Sequence, residues 1–219
     1  MFIKAFMFVL LLISCVLPQG LSAQSKTDSL KNELKNASQA DSVRLYILIG
    51  EEYFQEEDYT ESLDFFFSCL KLSETIGDMT SSADASNSIG RVYYNTNNFT
   101  QALVYFTKAL EYFKILEDER RQGGVLNNIA LIYYELDSID KSINYYQQAL
   151  VIKKKHNQKL DIGAIYHNLG LVYIYERKYD EAIKYLVDAK EIFLESGIEK
   201  HAANATNNIG RAYYKFAKY

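Results

Sequence analysis

The chain has 219 residues, 48% of them apolar and 24% charged, which suits a globular fold with one continuous core. Its formal charge is -4, and Lys and Arg alternate with Asp and Glu along the presumed outer faces. That leaves no basic stripe to neutralise phosphates, so nucleic acid is excluded as the expected partner. Most of the nineteen Tyr recur at a fixed spacing, which makes them architectural.

Residues 1–23 read as an export signal: Lys4 charges the start, Ala5 to Leu17 is apolar apart from Ser14, and Leu21-Ser22-Ala23 supplies a small-residue site before Gln24. The apolar run is too short to span a membrane. The expected location is therefore exported, periplasmic or facing the outer envelope. A competing reading takes Leu12-Ile13-Ser14-Cys15 as a lipoprotein box with Cys15 as the acylated anchor. The apolar Val16-Leu17 that follows and the well-formed later site favour the cleavable signal. Cys69 stands where other copies of the repeat described below have Ala109, Ala149 and Ala189, so it reads as a small buried residue. Residues 24–42 are a polar linker, in which Leu30 and Leu34 predict a short cap helix over Asp28–Lys35.

From there the chain repeats every 40 residues. Ile49-Gly50, Ile89-Gly90, Ile129-Ala130, Leu169-Gly170 and Ile209-Gly210 fall in register, each followed three residues later by Tyr53, Tyr93, Tyr133, Tyr173 or Tyr213. Such a period means stacked units that bury their apolar faces only against neighbours. Each unit holds two helices. Helix A carries a stripe such as Tyr166, Leu169, Gly170 and Tyr173, and helix B one such as Ala182, Leu186 and Ala189. Polar turns at Glu57-Asp58, Asn97-Asn98, Asp137-Ser138 and Arg177-Lys178 separate the two. Gly77, Asn157 and Gly197 predict a left-handed residue ending helix B, a place that Glu117 fills without obvious reason. The copies run over 43–82, 83–122, 123–162 and 163–202, with helix A of a fifth at 203–219.

These columns resemble the tetratricopeptide repeat (TPR) pattern, met by Tyr166, Leu169, Gly170, Tyr173, Ala182, Leu186 and Ala189 with Leu in place of a Phe. The resemblance covers about residues 43–219. The family's unit is usually shorter, about 34 residues, and closes helix B with Pro. Glu74, Lys114, Lys154 and Leu194 stand there instead, so the helix can continue another turn. The resemblance implies an all-α, right-handed α-solenoid of stacked helix-turn-helix hairpins with a concave groove. Long-unit relatives include kinesin light chains, cell-polarity adaptors related to LGN, and response-regulator phosphatases of the Rap type, none of which uses the repeats themselves for chemistry.

Helical residues turn by about 100°, so Asn127, Asn128, Leu131, Tyr134 and Glu135 face away from the stripe of Leu126, Ile129, Ala130 and Tyr133. Comparing copies gives rungs: Ser88, Asn128, Asn168 and Asn208 in one column, and Asn87, Asn127, His167 and Asn207 beside it. An asparagine both donates and accepts, so a ladder of them suits the backbone of an extended ligand. Similar ladders bind extended peptides in kinesin light chains and LGN-like adaptors, which Asn128, Asn168 and Asn208 resemble residue by residue. Equally, the amides could pair between helices and fix the stack, since periodicity follows from either role. The next columns are Glu51, Arg91, Leu131, Leu171 and Arg211, with Phe54, Tyr94, Tyr134, Ile174 and Tyr214 alongside. An apolar centre with charged ends describes an anchor pocket with a polar rim. The expected peptide-binding residues are therefore Asn87, Arg91, Asn127, Asn128, Leu131, Tyr134, His167, Asn168, Leu171, Asn207, Asn208 and Arg211. The family's chaperone-tail carboxylate clamp is not expected, because Leu48, Gly124 and Asn128 occupy three of its places.

Enzyme readings find no support. His156, His167 and His201 share no metal-ligand spacing, and no phosphate loop, nucleophile elbow or paired-Cys motif occurs, so no catalytic residue, metal or cofactor is expected. Lys153-Lys154-Lys155 reads as cations complementing the dipole of a helix C-terminus. The expected function is a non-catalytic scaffold that binds a peptide or protein segment. The alternative is an extracytoplasmic sensor input module of a longer signalling protein, of histidine kinase or transcriptional regulator type. It is what the resemblance implies, since exported repeat arrays of this look often precede a signalling output. Ile209, Tyr213 and Phe216 would lack a helix B to pack on, and a continuation of the chain or a second subunit is expected to cover them.

Overall fold

The computed structural model describes residues 17–217, with side chains from Lys26 onward. Most of the proposed export signal, Cys15 and the turn residue Tyr219 lie outside the described residues. Those described form ten α-helices and no strand: α1 Leu17–Leu34, α2 Gln39–Gln55, α3 Tyr59–Ile76, α4 Met79–Asn95, α5 Phe99–Ile115, α6 Glu119–Glu135, α7 Ile139–Lys155, α8 Lys159–Tyr175, α9 Tyr179–Glu195 and α10 Glu199–Phe216. From α2 on, a helix starts every twenty residues, so one 40-residue copy is one helix pair. None of the described helices is long and apolar enough to cross a membrane. The chain divides into two compact units between Val92 and Tyr93.

In the first unit α1 packs on α2. It is longer than the helix over Asp28–Lys35 that the leucine spacing predicts, and it runs through Ala23. Its polar face is tied down by charge: Glu33 pairs with Arg44 at 2.9 Å, Lys26 pairs with Glu52, and the Lys31 ammonium donates to the Tyr53 hydroxyl while lying over the Tyr53 ring.

The helices start and stop for local reasons. Oxygens of Ser38, Asp58, Asp78, Asn98 and Asp118 accept the backbone N–H three residues on, satisfying first-turn donors of α2 to α6. At the stops, Gly77 and Gly197 take positive φ as the sequence predicts. So do Glu57, Asn97, Glu117, Asp137, Asn157 and Arg177, at φ of 52° to 61°. Glu117 is thus no exception. In each of these eight turns the following residue donates back to a carbonyl five earlier, as from Asp118 to Phe113 and from Ser138 to Tyr133. This double closure satisfies the orphan carbonyls whichever side chain stands at the left-handed position.

Packing explains the Gly-and-Tyr columns. A Cβ on Gly50 would lie 2.6 Å from the Phe66 ring, and one on Gly170 2.5 Å from Leu186 Cγ, so the two helices of a hairpin touch at this point. The approach is close enough for Ser62 to donate to the Gly50 carbonyl at 2.9 Å and Ser142 to that of Ala130 at 2.8 Å. Three residues past the small residue, the tyrosines of the first four copies stack on the ring twelve positions further on. Tyr53 on Phe65, Tyr93 on Tyr105, Tyr133 on Tyr145 and Tyr173 on Tyr185 have centroids 5.3–5.7 Å apart. Helix A also buries a second line that the single-stripe reading misses, through Val125 and Ile132 in α6 and Ile165 and Val172 in α8. Cys69 is buried as expected, and burial pushes its thiol up to about 12, which makes it unreactive.

Lys153 departs from the expectation of a solvated cation at a helix end. It is buried, bonds Asp161 at 2.7 Å and donates to the Arg120 carbonyl at 3.2 Å. Gly123 makes the room, since a Cβ there would meet Lys153 Cε at 3.0 Å.

Candidate functional site

Within the second unit, the A helices α6, α8 and α10 lie side by side. The columns predicted to face a ligand form rungs across them. Asn168 Nδ2 donates to Asn127 Oδ1 at 3.4 Å, Asn127 Nδ2 lies 3.5 Å from Asn128 Oδ1, and Asn208 Nδ2 lies 3.0 Å from His167 Nε2. Asn127, Asn128, His167, Asn168 and Asn208 are half-buried, and Asn207 is exposed. Burial, reinforced by His201 nearby, holds the His167 pKa below its ordinary value. The neutral ring can therefore accept from Asn208. The Asn168–Asn127 and Asn208–His167 pairings are the helix-to-helix role, whereas Asn127–Asn128 lies within α6, and the two amide–amide contacts are long for hydrogen bonds. Each amide also keeps further donor and acceptor capacity.

In the first unit the same columns are engaged differently. Ser88 Oγ and Arg91 both donate to Glu51 Oε1, at 3.0 and 2.8 Å, and the Arg91 guanidinium lies 4.4 Å from the Phe54 ring centroid. Asn87 is half-buried, with its Oδ1 buried and without a hydrogen-bond partner among the described residues.

A cavity of about 560 Å³ opens beside the rungs, lined by Tyr134, Leu171, Ile174, Tyr175, Arg177, Tyr179, Arg211, Tyr214 and Lys215. Its size falls within the roughly 300–1,000 Å³ usual for ligand sites. Ile174 and Tyr179 are buried beneath it, and Tyr134 meets Tyr175 edge-on at 5.8 Å. The Tyr175 hydroxyl donates to Asp137 at 2.7 Å, and this bond raises its pKa. Burial raises that of Tyr134, with the charge of Glu135 adding and that of Arg211 opposing. Both rings are therefore neutral at pH 7; the Tyr175 proton is held by Asp137, and the Tyr134 hydroxyl can donate to a ligand.

Of the twelve predicted residues, Tyr134, Leu171 and Arg211 converge on this cavity. Leu131 is half-buried outside its lining, and Asn87 and Arg91 belong to the first unit. Tyr175, Arg177, Tyr179 and Lys215 were not predicted. Tyr175 did leave a trace, because its column otherwise holds Gln55, Asn95, Glu135 and Lys215. An aromatic breaking a polar column marks a locally different surface.

The repeat geometry and this face define a helical-repeat protein. A family model described as tetratricopeptide repeat matches residues 81–155 and 161–219, and a second of the same description matches 43–76. The chain belongs to the tetratricopeptide repeat family. No curated protein matches it in sequence. Among solved structures it is similar to BtubC (BKLC) from P. vanneervenii, with a TM-score of 0.64 and 14% identity over 91% of each chain. It is also similar to the STAND protein with a tetratricopeptide repeat sensor, PH0952, from Pyrococcus horikoshii, at TM-score 0.77 and 23% identity, covering 84% of this chain and 29% of that one. A third is the Rap conjugation gene regulator of the plasmid pLS20 in complex with the Phr* peptide, at TM-score 0.61 and 19% identity, covering 80% and 54%. At these identities the likeness is one of fold. The chain spans about a third of the second protein and half of the third.

Proposed function

We propose that this protein is a non-catalytic scaffold that holds an extended peptide or protein segment against the A helices. One observation carries the reading: a cavity walled by Tyr134, Leu171 and Arg211 adjoins hydrogen-bonded Asn and His rungs on the same face. Rungs offer groups for a peptide backbone, and the cavity offers a place for a side chain. The peptide-bound Rap regulator, a structure of similar fold, supports the choice of ligand. Displaying random peptides to the purified protein tests it. Wild type should retain a defined set, Leu171→Glu should lose it, and Asn128, Asn168 and Asn208 changed together to Ala should weaken it. A triple variant that melts earlier but binds normally would assign the amides to the stack alone.

An exported location follows from Lys4, the apolar run and the Leu21-Ser22-Ala23 site. Cleavage there would leave Gln24 onward, within α1. N-terminal sequencing of protein from fractionated cells tests it: Gln24 in the envelope supports export, acylated Cys15 the lipoprotein route, and intact Met1 in the cytosol refutes both. A second reading, as a sensor input module, is favoured by the likeness to PH0952, itself described as carrying a repeat sensor. An immunoblot of native cells showing a polypeptide well above 25.2 kDa would support it.

A further inference from the structure

Resting on the reading of the A-helix face as a peptide site, we infer that the cavity between Tyr134 and Lys215 selects an acidic side chain next to an aromatic or aliphatic one. Its walls supply two chemistries at once. Leu171, Ile174 and the faces of Tyr134 and Tyr179 offer apolar surface, and Arg177, Arg211 and Lys215 bring three cations. No carboxylate is among the lining residues. Of the acids nearby, Asp137 accepts the Tyr175 hydroxyl, Glu176 lies 3.7 Å from Lys178, and Glu135 acts on Tyr134 in opposition to Arg211.

The side chains of Arg211 and Lys215 have no ion-pair or hydrogen-bond partner among the described residues, on a chain whose net charge is -4. They lie four positions apart on α10, so they share one face of that helix. A local excess of positive charge on an acidic protein, set against a partly dehydrated apolar wall, complements a carboxylate attached to an apolar body. The wall strengthens the charge attraction by excluding water, and the cations penalise a basic ligand. An arginine can hold the carboxylate by two parallel hydrogen bonds, and the neutral Tyr134 hydroxyl can donate as well.

The test uses the full chain and bead-bound short peptides, randomised in the middle, N-acetylated and C-amidated, with a second set ending in a free carboxylate. Wild type should enrich Asp or Glu beside Phe, Tyr, Leu or Ile in the amidated set. Its affinity for a selected peptide should fall as salt rises. Arg211→Gln with Lys215→Gln should abolish the acidic preference and weaken the selected peptide about tenfold. Arg211→Glu with Lys215→Glu should turn selection toward Lys and Arg. Circular dichroism checks that both variants stay helical, and if the reversed pair unfolds, the neutral pair decides. Enrichment confined to the free-acid set would make a chain terminus the source of the carboxylate and overturn the side-chain reading. Neutral or basic peptides enriched by wild type would overturn this inference and leave the broader peptide reading standing. No retained peptide of any kind would remove both.

Discussion

Single residues carry backbone strain and burial that can be measured. Glu117 holds a φ of 55° where Gly77 and Gly197 do the same work without a Cβ. A left-handed conformation costs a non-glycine residue about 1–2 kcal/mol. Glycine regains part of that in the unfolded chain, so Glu117→Gly should stabilise by about 0.5–1 kcal/mol in urea denaturation. Gly170→Ala should act oppositely, because its Cβ would strike Leu186 inside a packed hairpin; a loss of about 1–3 kcal/mol is expected. His167 sets a pH dependence. Its folded pKa lies below the ordinary 6.5, so the unfolded chain binds more protons between the two values. The stability it confers is complete above 6.5 and is lost as pH falls through that value toward the folded pKa. Exchanging it for asparagine, the residue of its column in Asn127 and Asn207, should therefore reduce the drop in Tm between pH 7.5 and 5.5 that wild type shows.

At the scale of elements, junctions between one helix B and the next helix A reveal what the repeat pattern hides. Near the end of each B helix, one column faces a partner eight or nine residues on, and each copy uses a different chemistry. Ser73 shares a hydrogen bond with Ser82 at 2.8 Å, and Phe113 lies under the Arg121 guanidinium at 5.0 Å. Lys153 pairs with Asp161 at 2.7 Å, and Phe193 packs on the His201 ring at 5.2 Å. Asp161→Ala leaves a buried ammonium with a carbonyl as its remaining partner, and should cost about 1–3 kcal/mol. Replacing Lys153 by Met as well should recover most of that, since apolar substitutes for buried ion pairs are often neutral or better. A thermal-melt double-mutant cycle reads the coupling. This explains how much was legible beforehand. Columns such as Gly50 and Gly170, or Tyr53 and Tyr173, repeat because every hairpin needs the same close approach and stacked ring, so periodicity exposes them. Lys153 and Asp161 do not repeat, and a lysine run at a helix end looks solvated until its neighbour is placed. The cavity was half legible for the same reason: Tyr134, Leu171 and Arg211 stand in regular columns, whereas Tyr175 and Arg177 belong to one turn.

Across the whole molecule, near-identical hairpins could in principle be exchanged like links. The junction pairs say otherwise. Trading residues 119–158 for 159–198 moves intact helix pairs, yet it sets Phe113 against Asp161, Phe193 against Arg121 and Lys153 against His201. Trading 123–162 for 163–202 cuts through helices but carries both pairs along unbroken. The second rearrangement should melt higher than the first, although both preserve the 40-residue spacing; equal Tm values would mean the junctions are interchangeable. What such a chain inherits as its module is then the seam rather than the hairpin. Each seam has its own handshake, a private match that would penalise look-alike neighbours docked out of order.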